Sequence, residues 1–390
     1  MTSRRRFLAT VGSGALTSGL AGCGYRPGAG DWRWRVESPG GLFRTESVGV
    51  ADGVIYGVAR STTTYDLESE DWTDGGQVSA YGTDDGRERL SKTFGTDIAA
   101  SAAGETGLAV GFGGPDGGQS VGRLDADGVR WRTPVRAEPL VVAPATDRTY
   151  AVTSDRRLVA LADGSRAWSV ELPGEPDGST GGGGEGSSGD GTGGASDDER
   201  ASEGDAAADD DPLVRASLAA DAGVAVAVTE SGAAAFDPDG RRRWTRPDIG
   251  AWESVVVTDG PVLLPTRREL FALDRTTGET LWTLLGEVDS VANTDEGGYT
   301  VGDGTVVAFD ASGETRWTAT AGGAGERYRG RVAATDDDVF ANRRGTLVAL
   351  DAADGRVRWT AAHDEISAGP FVADGGVLVA ADDDLVCHYR

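Results

Sequence analysis

The chain of 390 residues carries 63 Asp and Glu against 37 basic side chains, a formal charge of −26. No basic patch interrupts the acid, which excludes nucleic acid as a partner, because bound phosphates must be neutralised by clustered cations. Sixty glycines, one Met and one Lys (Lys92), with frequent Val, Thr and Trp, exclude a helical protein and describe many short strands joined by tight turns.

The N-terminus reads as an address. Ser3-Arg4-Arg5-Arg6-Phe7-Leu8 matches the core of twin-arginine export signals, carried by Arg4, Arg5, Phe7 and Leu8. The weakly apolar stretch Ala9 to Leu20 that follows is too short to span a bilayer as a helix. Leu20-Ala21-Gly22-Cys23 resembles a lipobox, in which small residues admit a peptidase to the bond before Cys23 and the thiol then takes lipid. Residues 1–22 are thus expected to be a signal peptide, 23–30 a tether and 31–390 the folded domain. That domain is expected to be exported folded and held to the outer face of the cell membrane through Cys23, each buried acyl methylene contributing about 0.8 kcal/mol. Cys387, the second of two cysteines, reads as a small buried hydrophobe on the last strand.

A repeat then runs to the C-terminus. Asp31-Trp-Arg-Trp34-Arg-Val reads as a lone strand. Ala80 to Leu90 is a weak first copy, with Leu90 where later copies have Trp, and Arg123-Leu-Asp-Ala-Asp-Gly-Val-Arg-Trp131 and Ala160-Leu-Ala-Asp-Gly-Ser-Arg-Ala-Trp168 follow. The pattern sharpens in Ala235-Phe-Asp to Trp244, Ala272-Leu-Asp274 with Gly278 and Trp282, Ala308-Phe-Asp310 with Gly313 and Trp317, and Ala349-Leu-Asp351 with Gly355 and Trp359. Trp244 to Trp282 is 38 residues, Trp282 to Trp317 is 35, Trp317 to Trp359 is 42 and Trp131 to Trp168 is 37. A period of roughly 40 suits a four-stranded propeller blade.

Each unit begins with two apolar runs about an Asp/Gly turn, such as Val255-Val-Val-Thr-Asp-Gly-Pro-Val-Leu-Leu and Phe371-Val-Ala-Asp-Gly-Gly-Val-Leu-Val-Ala, giving strands one and two. Ala-Leu-Asp forms strand three, and the Trp strand is fourth and outermost, its ring packing over the turn of the neighbouring blade. The chain ends supply the last blade: Phe371 to Arg390 holds three strands without a Trp strand, and the Trp34 strand lacks three before it. Joining them closes the ring and removes its open edges. The expected fold is therefore an all-β, eight-bladed β-propeller of four-stranded antiparallel blades, monomeric, closed by an N-terminal strand pairing with the C-terminal blade.

Two stretches exceed the period. Residues 174–212 are almost wholly Gly, Ser, Asp, Glu and Ala, too polar to order themselves, and read as a disordered inter-blade loop. Residues 61–76, with Tyr65 and Trp72, read as a loop insertion that folds back on its own blade or offers its aromatics to a partner.

The unit Ala272-Leu-Asp-Arg-Thr-Thr-Gly-Glu-Thr-Leu-Trp282 resembles the repeat of the pyrroloquinoline-quinone (PQQ)-like propellers, and the likeness covers nearly all of the chain after Cys23. Among them an eight-bladed lipoprotein of this size resembles the BamB branch, which implies a protein-binding scaffold. The acid-rich, Arg-dominated composition resembles that of haloarchaeal proteins, whose charge keeps them soluble in concentrated salt while the salt screens its self-repulsion. The quinoprotein dehydrogenases of the same family imply PQQ and calcium in the central funnel, with an adjacent cysteine pair, calcium-binding carboxylates and a catalytic Asp. Cys23 and Cys387 form no such pair, and no Asp stands in a motif marking it as a base.

His363 and His388 are the only histidines, too few for a His-based metal site or a triad, and His363-Asp364-Glu365 reads as a polar connecting loop. The runs Asp336 to Asp338 and Asp382 to Asp384 read as solvated turns in preference to Ca²⁺ or Na⁺ sites. The expected function is a cell-surface, lipid-anchored scaffold for a protein partner, with no catalytic residue, metal or cofactor. The alternative is a dehydrogenase or ligand-binding propeller holding PQQ or a sugar in the funnel.

Overall fold

Short runs of Val, Ala, Leu and Thr bounded by Asp-Gly turns fold into thirty-two strands, with no helix among the described residues. The computed structural model describes residues 28–37, 47–66, 71–113, 118–173, 216–250, 254–294, 297–321, 327–373 and 375–390. The signal residues Arg4, Arg5, Phe7 and Leu8, the lipidation position Cys23 and the insertion 174–212 lie outside them.

The strands form eight four-stranded antiparallel sheets, seven of them in chain order from the centre outward. These are blades one (47–93), two (97–134), three (139–171), four (216–246), five (256–285), six (290–320), seven (329–362) and eight (366–389). Blade eight borrows its fourth strand, Trp32–Glu37, from the N-terminus: Trp34 pairs with Cys387 and Glu37 with Asp384. The ring thus closes by hydrogen bonds in the way the chain ends predicted, and no sheet is left with three strands.

Burial follows position in the blade. Second and third strands are covered on both faces by neighbouring blades, so Ala225–Thr229 and Gly232–Phe236 are buried throughout and read as continuous apolar runs. Fourth strands face solvent on one side and alternate, as Thr315–Thr320 does. First strands pack against one another around the central channel.

The repeat motif sets the contact between blades. Its Ala lies directly opposite its Trp: Ala235 pairs with Trp244, Ala272 with Trp282, Ala308 with Trp317 and Ala349 with Trp359. A β-bulge follows that pair in each case. The ring then leaves its own blade and lies on the motif turn of the next. Trp244 covers Gly278, where an added methyl would stand 2.7 Å from the indole and where φ of +73° already disfavours a side chain. The indole N–H donates to the carbonyl of the residue after the motif Asp position: Trp244 to Arg275 at 3.2 Å, Trp282 to Ala311 at 3.0 Å and Trp317 to Ala352 at 2.9 Å. Trp168 does the same to Pro238 at 2.7 Å, and Trp34 to Thr83 at 3.1 Å. Trp131 packs on Gly164, and Trp359 packs on Gly30 at the composite blade's own turn.

Three blades vary the pattern. Leu90 stands opposite Ala80 and packs in the cluster between blades one and two that includes Ala126. Cys387 takes the small position opposite Trp34, which explains its burial. In blade two Arg123 stands opposite Trp131; it is 7% exposed, and its guanidinium donates to Thr106 and Thr149 hydroxyls.

The expectation of a loop at 61–76 is corrected. Strands two and three of blade one, Val54–Asp66 and Asp71–Gly82, run on past the sheet as a paired ribbon in which Tyr65 opposes Trp72. The β-branched run Thr62-Thr-Thr supplies strand propensity that a count of residues per blade cannot register.

Replacing Trp244 by Ala is expected to cost about 3–5 kcal/mol of unfolding free energy, the range for a large buried aromatic. Gly278→Val attacks the same joint from the other side and is expected to cost about 1–3 kcal/mol through clash and backbone strain. Urea unfolding at fixed salt measures both, and an unchanged midpoint for either would deny the joint its role.

Candidate functional site

The motif carboxylates are committed to their turns. Asp274 Oδ1 accepts the amides of Thr276 and Thr277, both at 2.8 Å. Asp310 Oδ1 accepts the Ser312 hydroxyl at 2.7 Å and the amides of Ser312 and Glu314 at 2.9 and 3.0 Å. Asp351 accepts the Ala353 amide at 2.8 Å and, on its other oxygen, Arg358 at 2.8 Å. These donors favour the ionised form, so all three carboxyls sit below their ordinary range: Thr277 is the main cause for Asp274, Ser312 for Asp310 and Arg358 for Asp351. The Asp, Gly and Trp of the repeat are architecture.

What remains open is the middle of the ring. A channel of about 980 Å³ is lined by first strands, among them Val48–Val50, Ala99, Pro139–Val142, Ala216–Leu218, Arg331–Ala333 and Pro370–Val372, with Arg60 and Glu138. Its wall mixes aliphatic side chains with exposed polar groups, among them Ser101, Ser217 and Ser254. Arg331 is the notable one: its guanidinium lies 4.8 Å over the Phe371 ring and is reached by solvent, yet protein surrounds it, and that enclosure pulls its pKa below the ordinary arginine value. No carboxylate stands within ion-pair distance of Arg331 among the described residues.

Antiparallel order puts the one–two and three–four turns on one face of the ring and the starts of the first strands on the other. Arg331, Arg60 and Glu138 belong to the second face. A further cavity of about 730 Å³ opens towards the first face, lined by Glu105, Asp221, Asp259 and Asp310, with Asp221 paired to Arg275 at 2.6 Å. Of the motif turns, the one at Asp310 stands in its wall; the second face has an acidic cavity of its own, lined by Asp364, Glu365, Asp382 and Asp383.

Neither acid run is simply solvated. Asp338 and Asp384 are 8% and 7% exposed, and each meets an arginine of its own blade, Arg358 at 2.8 Å and Arg35 respectively. His363, expected in a polar connecting loop, has a side chain only 1% exposed, 3.1 Å from His388 and 3.4 Å from Asp382. Nothing local in the sequence pairs residues 363 and 388; the seam between blades seven and eight does. Cys387 is free and buried, and burial pushes its thiol up to about 11.

The described residues of the channel do not supply the carboxylates that calcium with PQQ would need. Among the described residues no group of three His, Cys, Asp or Glu converges to hold a metal ion, and Arg331 with Phe371 is the only cation–aromatic arrangement in its wall. No step of quinone chemistry follows from these residues.

The family profile of outer membrane protein assembly factor BamB matches residues 24–284 and 302–390. No curated protein matches the chain in sequence. Among solved structures, BamB from Moraxella catarrhalis superposes with a TM-score of 0.60 at 14% identity, over 92% of this chain and 99% of that one. The computationally designed protein Ika8 gives 0.60 at 12% identity over 88% and 95%, and Sqt1 of Saccharomyces cerevisiae 0.58 at 10% over 93% and 99%. At these identities the likeness is one of fold.

With Cys23 replaced by Ser, Cys387 is the sole thiol, and Ellman's reagent at pH 8 is expected to leave it unmodified in the native protein and to react within minutes once denaturant unfolds the ring. Rapid native reaction would contradict its burial.

Proposed function

Since the chain belongs to the BamB family of outer membrane protein assembly factors, we propose that it is a lipid-anchored propeller acting at the outer face of the cell membrane as a binding scaffold for a protein partner. The observation that carries this reading is the commitment of the repeat's polar residues to turns and of its tryptophans to blade joints, which leaves loops and channel mouths as the surfaces free to recognise something. The lipobox at Cys23 and the twin-arginine motif supply the anchor and the route.

The anchor also chooses a face. Gly30 occupies the three–four turn position of blade eight, on the first face. Cys23 precedes Gly28 by five residues, a reach of about 17 Å at full extension. A lipid there holds the first face towards the membrane and presents the mouth with Arg331 outward to the partner.

Cys23→Ser is expected to move the protein from the membrane fraction to the medium without changing its unfolding midpoint. Proximity labelling from the tethered chain at native salt, against an anchor-only control, is expected to enrich a small set of exported or membrane proteins. Retention of Cys23→Ser at the membrane defeats the anchor, and no enrichment over the control defeats the scaffold.

A second reading rests on Arg331 alone: a small anion in the channel, held by the guanidinium that Phe371 supports. Inorganic phosphate would then raise the thermal midpoint of the wild type and not of Arg331→Ala. Equal responses end that reading.

A further inference from the structure

Two charges in the channel wall have no partner among the described residues. Arg331 stands near the start of the first strand of blade seven, and its guanidinium lies over Phe371, a ring that offers no lone pair to its N–H groups. None of those groups reaches a protein acceptor among the described residues, in a chain with 63 Asp and Glu. Glu138 stands just before Pro139–Pro144, the first strand of blade three, and no cationic side chain lies within ion-pair distance of it among the described residues.

The ring decides how the two face each other. Successive first strands touch around the channel, and blades three and seven are four places apart in a ring of eight. Glu138 and Arg331 therefore line opposite walls of one mouth, with a space of about 980 Å³ between those walls. The walls differ in their other groups as well. Phe371 of blade eight lies beside the cation. Beside the carboxylate, in blade four, Ser217 Oγ accepts the Val255 amide at 2.9 Å, which leaves the hydroxyl proton free to donate.

A simple anion suits Arg331 alone, and it must approach a chain of net charge −26, whose field opposes it wherever salt does not screen. A ligand with a cationic end escapes that opposition and satisfies Glu138 too. A free amino acid is too short, since its two charges are about one residue apart, ~3.6 Å along a chain. We propose that the mouth binds a short peptide with free termini, laid across the channel with its carboxylate on Arg331 and its ammonium on Glu138. The planar fork of the guanidinium matches a carboxylate, and Ser217 donates to a peptide carbonyl near the ammonium end. The proposal rests on the anion reading of Arg331 and adds a second pole to it.

Isothermal titration of the full chain at fixed salt with di-, tri-, tetra- and pentaglycine tests it. Affinity is expected to rise to one length, at which the peptide matches the span, and to fall beyond it. At that length N-acetylation and C-amidation are each expected to weaken binding about tenfold or more, the scale of one charge-assisted hydrogen bond. Glu138→Gln should erase the effect of acetylation and keep that of amidation, and Arg331→Ala should do the reverse, with both variants holding the wild-type unfolding midpoint. No binding at any length, or binding indifferent to acetylation and to Glu138→Gln, overturns the peptide. Inorganic phosphate, titrated in parallel, separates the two readings. If phosphate binds the wild type and not Arg331→Ala while acetylated peptides bind as well as free ones, the anion reading stands and the peptide falls. If phosphate does not bind and the peptides bind through both ends, the peptide stands without it.

Discussion

An indole laid on a glycine turn is the contact on which this propeller depends. A single blade cannot bury its own two faces, and neighbouring blades must meet at an angle that brings the eighth back to the first. The Trp of one blade spans that angle, filling the space over the next blade's turn with its ring and bonding the turn through its N–H. The requirements elsewhere in the repeat follow: a small residue opposite the Trp so that the ring can lean outward, a bulge after it, a Gly with no side chain beneath the ring and an Asp to hold the turn's amides. Blade one, with Leu90, does without the ring and joins blade two through aliphatic packing.

The eighth joint carries a different burden, because its two sides come from opposite ends of the chain. Backbone pairing of Trp32–Glu37 with the last strand is supplemented there by Arg35 on Asp384, by Trp34 on the Gly86 turn and by His388 Nδ1 against the Gly30 carbonyl. The other seven blades gain cohesion from covalent turns between all of their strands.

The charge of −26 is also given direction by the fold. Motif turns place their carboxylates on one face, and the other mouth of the channel carries Arg331, at the start of a first strand, and Arg60, on the second strand of blade one. A propeller tethered from residues just before Gly28 therefore offers its two faces unequally, and the proposed partner meets the face on which cations are found.

Repetition made the fold legible in the sequence. The order Ala-Leu-Asp, Gly, Trp at a period near forty determines a four-stranded blade, because alternating apolar runs, Asp-Gly turns and one large ring have no other economical packing, and the unmatched ends determine how the ring closes. The ribbon at 61–76 was not legible, since its length looked like a loop and only pairing partners distinguish the two. Cys387 read as a buried small residue on the last strand and is one, whereas Arg123 looked unremarkable until register set it opposite Trp131. The Arg331 position and the His363–His388 pair were decided by tertiary structure alone: a channel wall and a seam are assembled from residues far apart in the chain, and local pattern holds no information about which of them will meet.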